Sequence, residues 1–345
     1  MTLMLNEIQE QPQSLERCLR NNISTIKKLV EAIHRKNISS VIMAARGTSG
    51  HAALYAKYVT EVLTGIPVAL AAPSVTTLYN RQLDCKDSLV IGVSQSGKAA
   101  DVLEVIKSAN NSGAVTVGVT NDPASPLALE AAFHLDCSAG PEKSVAATKT
   151  FTTQMLLLAE MSAEWADDKG TLIELAKVPE IMSQTLSNTN SIKEAAERYS
   201  FMNECFVIAR GINFPIALEC ALKIQETTYT RAKAFASSEF YHGPIAMVDE
   251  SIPVIIFAPN GPTIEDSIAM FNKLKENNTN IISVSNNESL LKSAACGLRI
   301  PDTENDVISP FINAAIAQTF ACNLSLCKGL NPDKPRRLNK VTITK

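Results

Sequence analysis

Two doubly wound α/β domains in tandem, each a parallel sheet with helices on both faces, are the architecture this sequence predicts, and three observations predict it. Short β-branched runs alternate with helical patterns of about 10 to 20 residues, with Gly, Asn, Asp or Ser at the joints, as βαβ units on a parallel sheet require. The runs also recur: residues 40–47 (SVIMAARG) match 204–211 (ECFVIARG), and 90–93 (VIGV) match 254–257 (VIIF), both at an offset of 164. Finally, 345 residues with 46% hydrophobic content and a mean hydropathy of +0.04 supply two well-filled cores and no long disordered tract.

The elements follow in order. Residues 1–35 form an N-terminal helical segment, of which 1–20 alternate polar and charged positions and hold no apolar core of signal-peptide length. The first domain, 36–168, opens on the strand-like run 40–45, which breaks at Arg46-Gly47-Thr48-Ser49-Gly50-His51. The run 88–93 then empties through Ser94-Gln95-Ser96-Gly97 into a helix-like stretch, 98–106. A third run, 117–121 (VGVTN), matches 282–286 (ISVSN) one residue further on than the other pairs, which one inserted loop residue explains. Helical patterns fill 151–200, and 169–200 forms the helical connector. The second domain, 201–331, repeats the strands and carries a helical run from Pro215; a tail, 332–345, closes the chain.

Composition narrows the chemistry. The net charge is −3 with both signs interspersed, so neither a nucleic-acid footprint nor a polybasic membrane face is visible, and no stretch is long and charge-free enough to span a bilayer. The expectation is a cytoplasmic protein with a small-molecule partner. The eight cysteines show no C-x-x-C pair and sit mostly in apolar runs, so they read as small buried hydrophobes rather than disulfides or zinc ligands. The four histidines stand at no metal-ligand spacing; neither a metal nor a cofactor is expected.

Two stretches carry candidate chemistry. Ser94, Gln95, Ser96 and Gly97 join a strand to a helix, where unbonded first-turn N–H groups and the helix dipole favour an anion and serines add neutral donors. A plain βα turn with a serine N-cap is the simpler account of such a tetrapeptide. The second copy has Ala258-Pro259-Asn260-Gly261 at this place, so only the first keeps both serines and every backbone donor. Gly47, Thr48 and Ser49 end a strand of the same sheet in the same way, and two such turns facing one crevice suit a phosphorylated sugar. In the second domain Glu219, Lys223 and Glu226 fall at i, i+4 and i+7 on one helical face with apolar flanks. A solvated Glu–Lys pair is the ordinary reading of that spacing; a charged stripe on a largely buried helix instead demands a cleft. His242, just before Gly243-Pro244, sits at a helix end, where a histidine is usually structural.

The segments 45–52 (ARGTSGHA), 94–97 (SQSG), 139–154 (AGPEKSVAATKTFTTQ), 217–223 (ALECALK) and 335–340 (PRRLNK) resemble, in that order, the sugar-isomerase (SIS) domains of glucosamine-6-phosphate synthase. The resemblance covers about residues 35–345 and implies the doubly wound fold. It further implies that Gly47, Thr48, Ser49, Ser94, Gln95 and Ser96 bind a sugar phosphate and that Val145 and Ala147 line the sugar through their backbone. By the same resemblance Glu226 is the base moving a proton between C1 and C2, with Glu219 and Lys223 shaping the site. His242 opens the sugar ring, reaching the neighbouring subunit's site in a homodimer, and Lys340 forms a Schiff base with the keto sugar. The residues of the two halves are expected to converge on one hexose phosphate.

Departures bear on the reaction. Position 2 is threonine where the synthase has its glutaminase nucleophile, and about 35 residues precede the first strand, so ammonia from glutamine is not expected. Lys98-Ala99 stands where the family has Glu-Thr, and Ala147 where it has serine, so phosphate contacts are rearranged with Lys98 as a candidate cation. The stretch 72–83 (APSVTTLYNRQL) resembles stand-alone tandem-SIS proteins, among them glucosamine-6-phosphate deaminases. Conversion of glucosamine 6-phosphate to fructose 6-phosphate and ammonia is therefore the leading expectation. Simple aldose–ketose isomerisation, deglycation of a phosphosugar adduct and sugar-phosphate sensing are the alternatives.

Overall fold

The computed structural model describes residues 2–340. Its elements run α1 (Leu3–Gln9), α2 (Gln11–Lys36), β1 (Ser40–Ala45), α3 (Gly47–Thr64), β2 (Val68–Leu70), α4 (Ser74–Thr77), β3 (Ser88–Val93), α5 (Ala100–Asn111), β4 (Val115–Thr120), α6 (Pro126–Glu130), β5 (Phe133–Asp136) and α7 (Lys149–Trp165). After α8 (Lys169–Ser187) and α9 (Asn190–Arg198) come β6 (Glu204–Ala209), α10 (Phe214–Thr228), β7 (Arg231–Ala236), α11 (Ser237–Tyr241), β8 (Val254–Phe257), α12 (Ile264–Glu276), β9 (Ile281–Ser285), α13 (Glu288–Ser293), β10 (Cys296–Arg299) and α14 (Ser309–Cys327).

Two five-stranded, wholly parallel sheets result, one ordered β2-β1-β3-β4-β5 and the other β10-β9-β8-β6-β7. Read from its β7 edge, the second order (β7-β6-β8-β9-β10) is the first repeated, so the duplication seen in the sequence is a duplication of topology. The central strands bury every residue of SLVIGV (β3), VTVGVT (β4) and VIIF (β8), as strands covered by helices on both faces must.

The described residues form two compact units. One holds 10–143, 147–179 and 339–340 and contains the first sheet; the other holds 2–9, 144–146 and 180–338 and contains the second. The change of unit at 179/180 falls within α8, at Pro179, whose missing N–H interrupts the helical ladder. The repeat extends to the helices. In the first unit α7 packs on α2 and α3; in the second, α14 packs on α9 and α10. Nearly every residue of α7 and of α14 is buried, polar ones included, so both helices lie inside their units rather than on the surface. All eight cysteines are free thiols, six of them buried.

Candidate active site

In an open parallel sheet a crevice forms where neighbouring strands send their connections to opposite faces. In the first unit that point lies between β1 and β3, which pair from Ser40↔Ser88 to Ala45↔Val93, and the turns leaving them are Arg46–Ser49 and Ser94–Ala99. The sequence reading expected helix from Lys98; the helix begins at Ala100, leaving a longer loop. Its N-cap is Ala99 in extended conformation, with no side-chain cap hydrogen bond, so a serine N-cap does not account for Ser94 and Ser96. The α3 helix likewise starts after Arg46 without a side-chain cap. Neither helix has a first-turn N–H group taken by an N-cap side chain, and in α5 the Asp101 carboxylate accepts from Val102 N at 2.9 Å, which leaves the earlier N–H groups of that turn to face an anion.

The cradle loop is pinned from behind. Ser94 N donates to Val119 O at 3.0 Å, Asn121 N to Gln95 O at 3.0 Å, and Gly97 N back to Ser94 O at 3.2 Å, while Ser96 Oγ accepts from Lys98 N at 3.3 Å. Gly97 has φ +61°, and a Cβ there would stand 2.1 Å from Ser125 Oγ, so no other residue fits. Gln95, Ser96 and Thr48 are half-buried, Ser49 and Ser94 buried, Gly47 and Lys98 exposed. Arg46 Nε holds the buried carboxylate of Asp101, in the first turn of α5, at 2.6 Å, tying the two turns together. The sequence reading did not single out that pair.

On the connection that leaves β5, the edge strand of the same sheet, a buried carboxylate gathers the approach to α7. Glu142 accepts from Thr148 N (3.0 Å), Thr150 N (3.1 Å), Thr150 Oγ1 (2.8 Å) and the Lys340 ammonium (2.8 Å). Burial alone would raise its pKa; the Lys340 charge and the helix N–H donors outweigh it and hold Glu142 below the usual carboxylate range. Lys340, to which the resemblance gives the Schiff-base role, is thus anchored by Glu142 of the 139–154 segment, a residue to which the resemblance gives no role. The readable signal was an acid just ahead of a helix N-terminus. Val145 and Ala147, on the segment entering α7, are half-buried.

In the second unit, α10 follows β6, starts at a Pro-containing first turn and lies against α14 and β7. Thr227 bridges α10 to α14, donating to Lys223 O (2.7 Å) and Ala321 O (3.3 Å) and accepting from Ser325 Oγ at its carbonyl (2.8 Å). The expected stripe forms. The Lys223 ammonium lies 3.4 Å from Glu219 Oε1 and 2.6 Å from Glu226 Oε2. Side-chain exposures are 0% for Glu219, 1% for Lys223 and 22% for Glu226, so Glu226 is the member open to a ligand. Burial pushes the Lys223 pKa down, but Glu219 and Glu226 outweigh it and hold the ammonium above the ordinary lysine range. His242 caps the short α11 with its ring exposed. At the second sheet's corresponding turn, Gly261 faces Asp306, whose Oδ1 would lie 3.1 Å from an added Cβ.

Among the described residues no helix is long and apolar enough to cross a membrane, and no three His, Cys, Asp or Glu side chains are grouped to hold a metal.

The SIS domain family model matches residues 34–161 and 202–328. Over 344 residues the chain is 36% identical to a glutamine–fructose-6-phosphate aminotransferase (isomerizing) of Aquifex aeolicus, which covers 99% of this chain and 57% of that protein. The chain therefore spans little more than half the length of that relative. A solved structure from Silicibacter pomeroyi DSS-3, described as a phosphosugar isomerase, superposes with a TM-score of 0.88 at 29% identity, covering 96% of this chain and 100% of that one. The C-terminal domain of glucosamine-fructose-6-phosphate aminotransferase from Francisella tularensis gives a TM-score of 0.83 at 25% identity, covering 97% and 98%.

Proposed function

Since the chain belongs to the SIS domain family, with two copies of the domain, we propose that it is a phosphosugar isomerase acting as a deaminase, converting glucosamine 6-phosphate to fructose 6-phosphate and ammonia. The observation that carries the reading is the carboxylate–ammonium–carboxylate stripe of α10. A general base must be unprotonated and must touch its substrate. Lys223 is held as a cation and Glu219 is sealed, which leaves the partly open Glu226 to take the proton.

The chemistry divides among named side chains. The loops at Thr48–Ser49 and Ser94–Ser96 hold the phosphate, with Gly47 and Gly97 giving close backbone approach and Val145 and Ala147 contributing backbone contacts to the sugar. His242, offered by a second copy of the chain in a homodimer, assists ring opening. Glu226 then removes the C2 proton of the open-chain amino sugar, and the buried Lys223 cation beside it favours the negative charge that develops there. Returning that proton to C1 yields the C2 imine, and water adds there to release ammonia and the ketone. Lys340 forms the Schiff base with the keto sugar when the reaction runs in reverse. The aminotransferase relatives, whose name specifies fructose 6-phosphate, support this choice of sugar.

Lys98, Ala99 and Ala147, which differ from the family pattern around the ligand but leave the stripe intact, favour a second reading: aldose–ketose isomerisation of another 6-phosphosugar by the same base. A coupled assay for ammonia and fructose 6-phosphate separates the two. Glu226→Gln is expected to lower kcat by about 10²–10⁴-fold while calorimetric binding of glucosamine 6-phosphate persists. Undiminished turnover in that variant would refute the assignment of the base.

A further inference from the structure

A cleft of about 530 Å³ opens at the edge of the second sheet where β6 and β7 begin, the reverse edge from their carboxyl ends. Glu204 and Arg231, the first residues of those strands, stand on its wall with Lys233, with Gln225 and Tyr229 from the end of α10, and with Arg336 from the tail. Three cations thus face one carboxylate in a chain whose net charge is −3. Arg231 reaches Glu204 only at 3.9 Å, with Arg231 largely solvated and Glu204 half-buried. The other two cations rest on rings: Lys233 Nζ lies 5.0 Å from the Phe235 centroid and the Arg336 guanidinium 4.0 Å from that of Tyr229.

The arrangement is built rather than incidental. Because β7 is an edge strand, Arg231 and Lys233, two residues apart, project from the same face of it and are exposed. Tyr229 occupies the left-handed region at φ +59° and caps α10; its hydroxyl accepts from Arg336 N at 2.9 Å, which leaves the phenolic proton to donate into the cleft. Guanidinium forks, a mobile ammonium and a phenol are the donor set that recognises a phosphoryl group. The volume lies within the range of small-molecule sites and exceeds the needs of a lone phosphate.

We propose that this cleft is a second anion site, separate from the Ser94–Gly97 cradle, for a phosphorylated small molecule. It is placed to influence turnover. Gln225 immediately precedes Glu226 on α10, and Arg336 lies four residues before Lys340 in the tail, so an occupant acts on both attachments. That last step rests on the function proposed above; the binding itself does not.

Inorganic pyrophosphate is the probe, titrated calorimetrically at low salt into the full chain. Two classes of site are expected. Lys233→Glu and Arg231→Gln should each weaken one class, the former by about tenfold, without altering the other class or turnover in the absence of pyrophosphate. Ser96→Ala should weaken the other class alone. Binding that is indifferent to both Lys233→Glu and Arg231→Gln, or the absence of any binding not removed by Ser96→Ala, would overturn the proposal. Pyrophosphate bound at the cleft by a chain that turns over no phosphosugar would leave the site standing and remove the proposed function instead.

Discussion

Two acids, Glu142 buried and Glu160 half-buried, show how neighbours decide what a side chain does. Glu142 and Glu160 lie on the approach to α7 and on α7 itself, yet they titrate in opposite senses. Glu142 has an ammonium and three helix-end donors, and stays ionised. Glu160 has a buried Oε2 with no hydrogen-bond partner; burial, helped by the nearby Glu164, pushes its pKa up to about 7. An unfolded chain gives up that proton near the ordinary value of 4.5, so between about 4.5 and 7 the folded state binds more protons than the unfolded one. Stability should therefore fall as pH climbs through that window and stay reduced above it. Glu160→Gln, which cannot ionise, should flatten the fall and add about 2 kcal/mol at pH 8. Urea denaturation at a series of pH values from 5 to 8 measures this, and a wild-type stability that does not change over the range would contradict it.

At the scale of elements, function depends on what leaves a strand rather than on the strand. The two sheets share one topology, but the turn after β3 keeps Ser94-Gln95-Ser96-Gly97 while the turn after β8 has a proline and faces the Asp306 carboxylate. Gly97→Ala tests how tightly the first turn is specified. A methyl group at φ +61° and in collision with Ser125 should destabilise the fold by about 2–4 kcal/mol and weaken phosphate binding together. Thermal melts with and without glucosamine 6-phosphate report both effects, and a variant as stable as the parent would show that the turn relaxes freely. The same scale explains what was legible in the sequence. The strands β1, β3, β4, β6, β8 and β9 announced themselves as runs rich in β-branched and other apolar residues because each is flanked by strands on both sides. Those the sequence reading did not single out, β2, β5, β7 and β10, are the four edge strands, short or mixed in character (VAL, FHLD, RAKAFA, CGLR) as edges tend to be. The Glu219, Lys223 and Glu226 stripe was legible from local helical spacing. The Arg46–Asp101 and Glu142–Lys340 pairs join residues 55 and 198 positions apart, and no periodicity encodes such a contact.

For the whole molecule the open question is how many chains make one site, and His242 puts it in testable form. The residue caps α11 with its ring exposed, whereas Glu226 lies on α10 beside a buried ammonium. If ring opening and proton transfer are performed by different copies, neither Glu226→Gln nor His242→Ala should be active alone, and a refolded mixture of the two should be. Random pairing makes half the dimers hybrid, and each hybrid restores one of its two sites by combining the intact Glu226 of one chain with the intact His242 of the other. The mixture should thus recover about a quarter of wild-type turnover, with the hybrid mass confirmed by light scattering after size exclusion. A histidine serving its own chain's site makes a different forecast: every site then carries one lesion, and mixing restores nothing. The ratio of mixed to parental activity therefore decides between a shared site and a self-contained one, whatever the identity of the sugar.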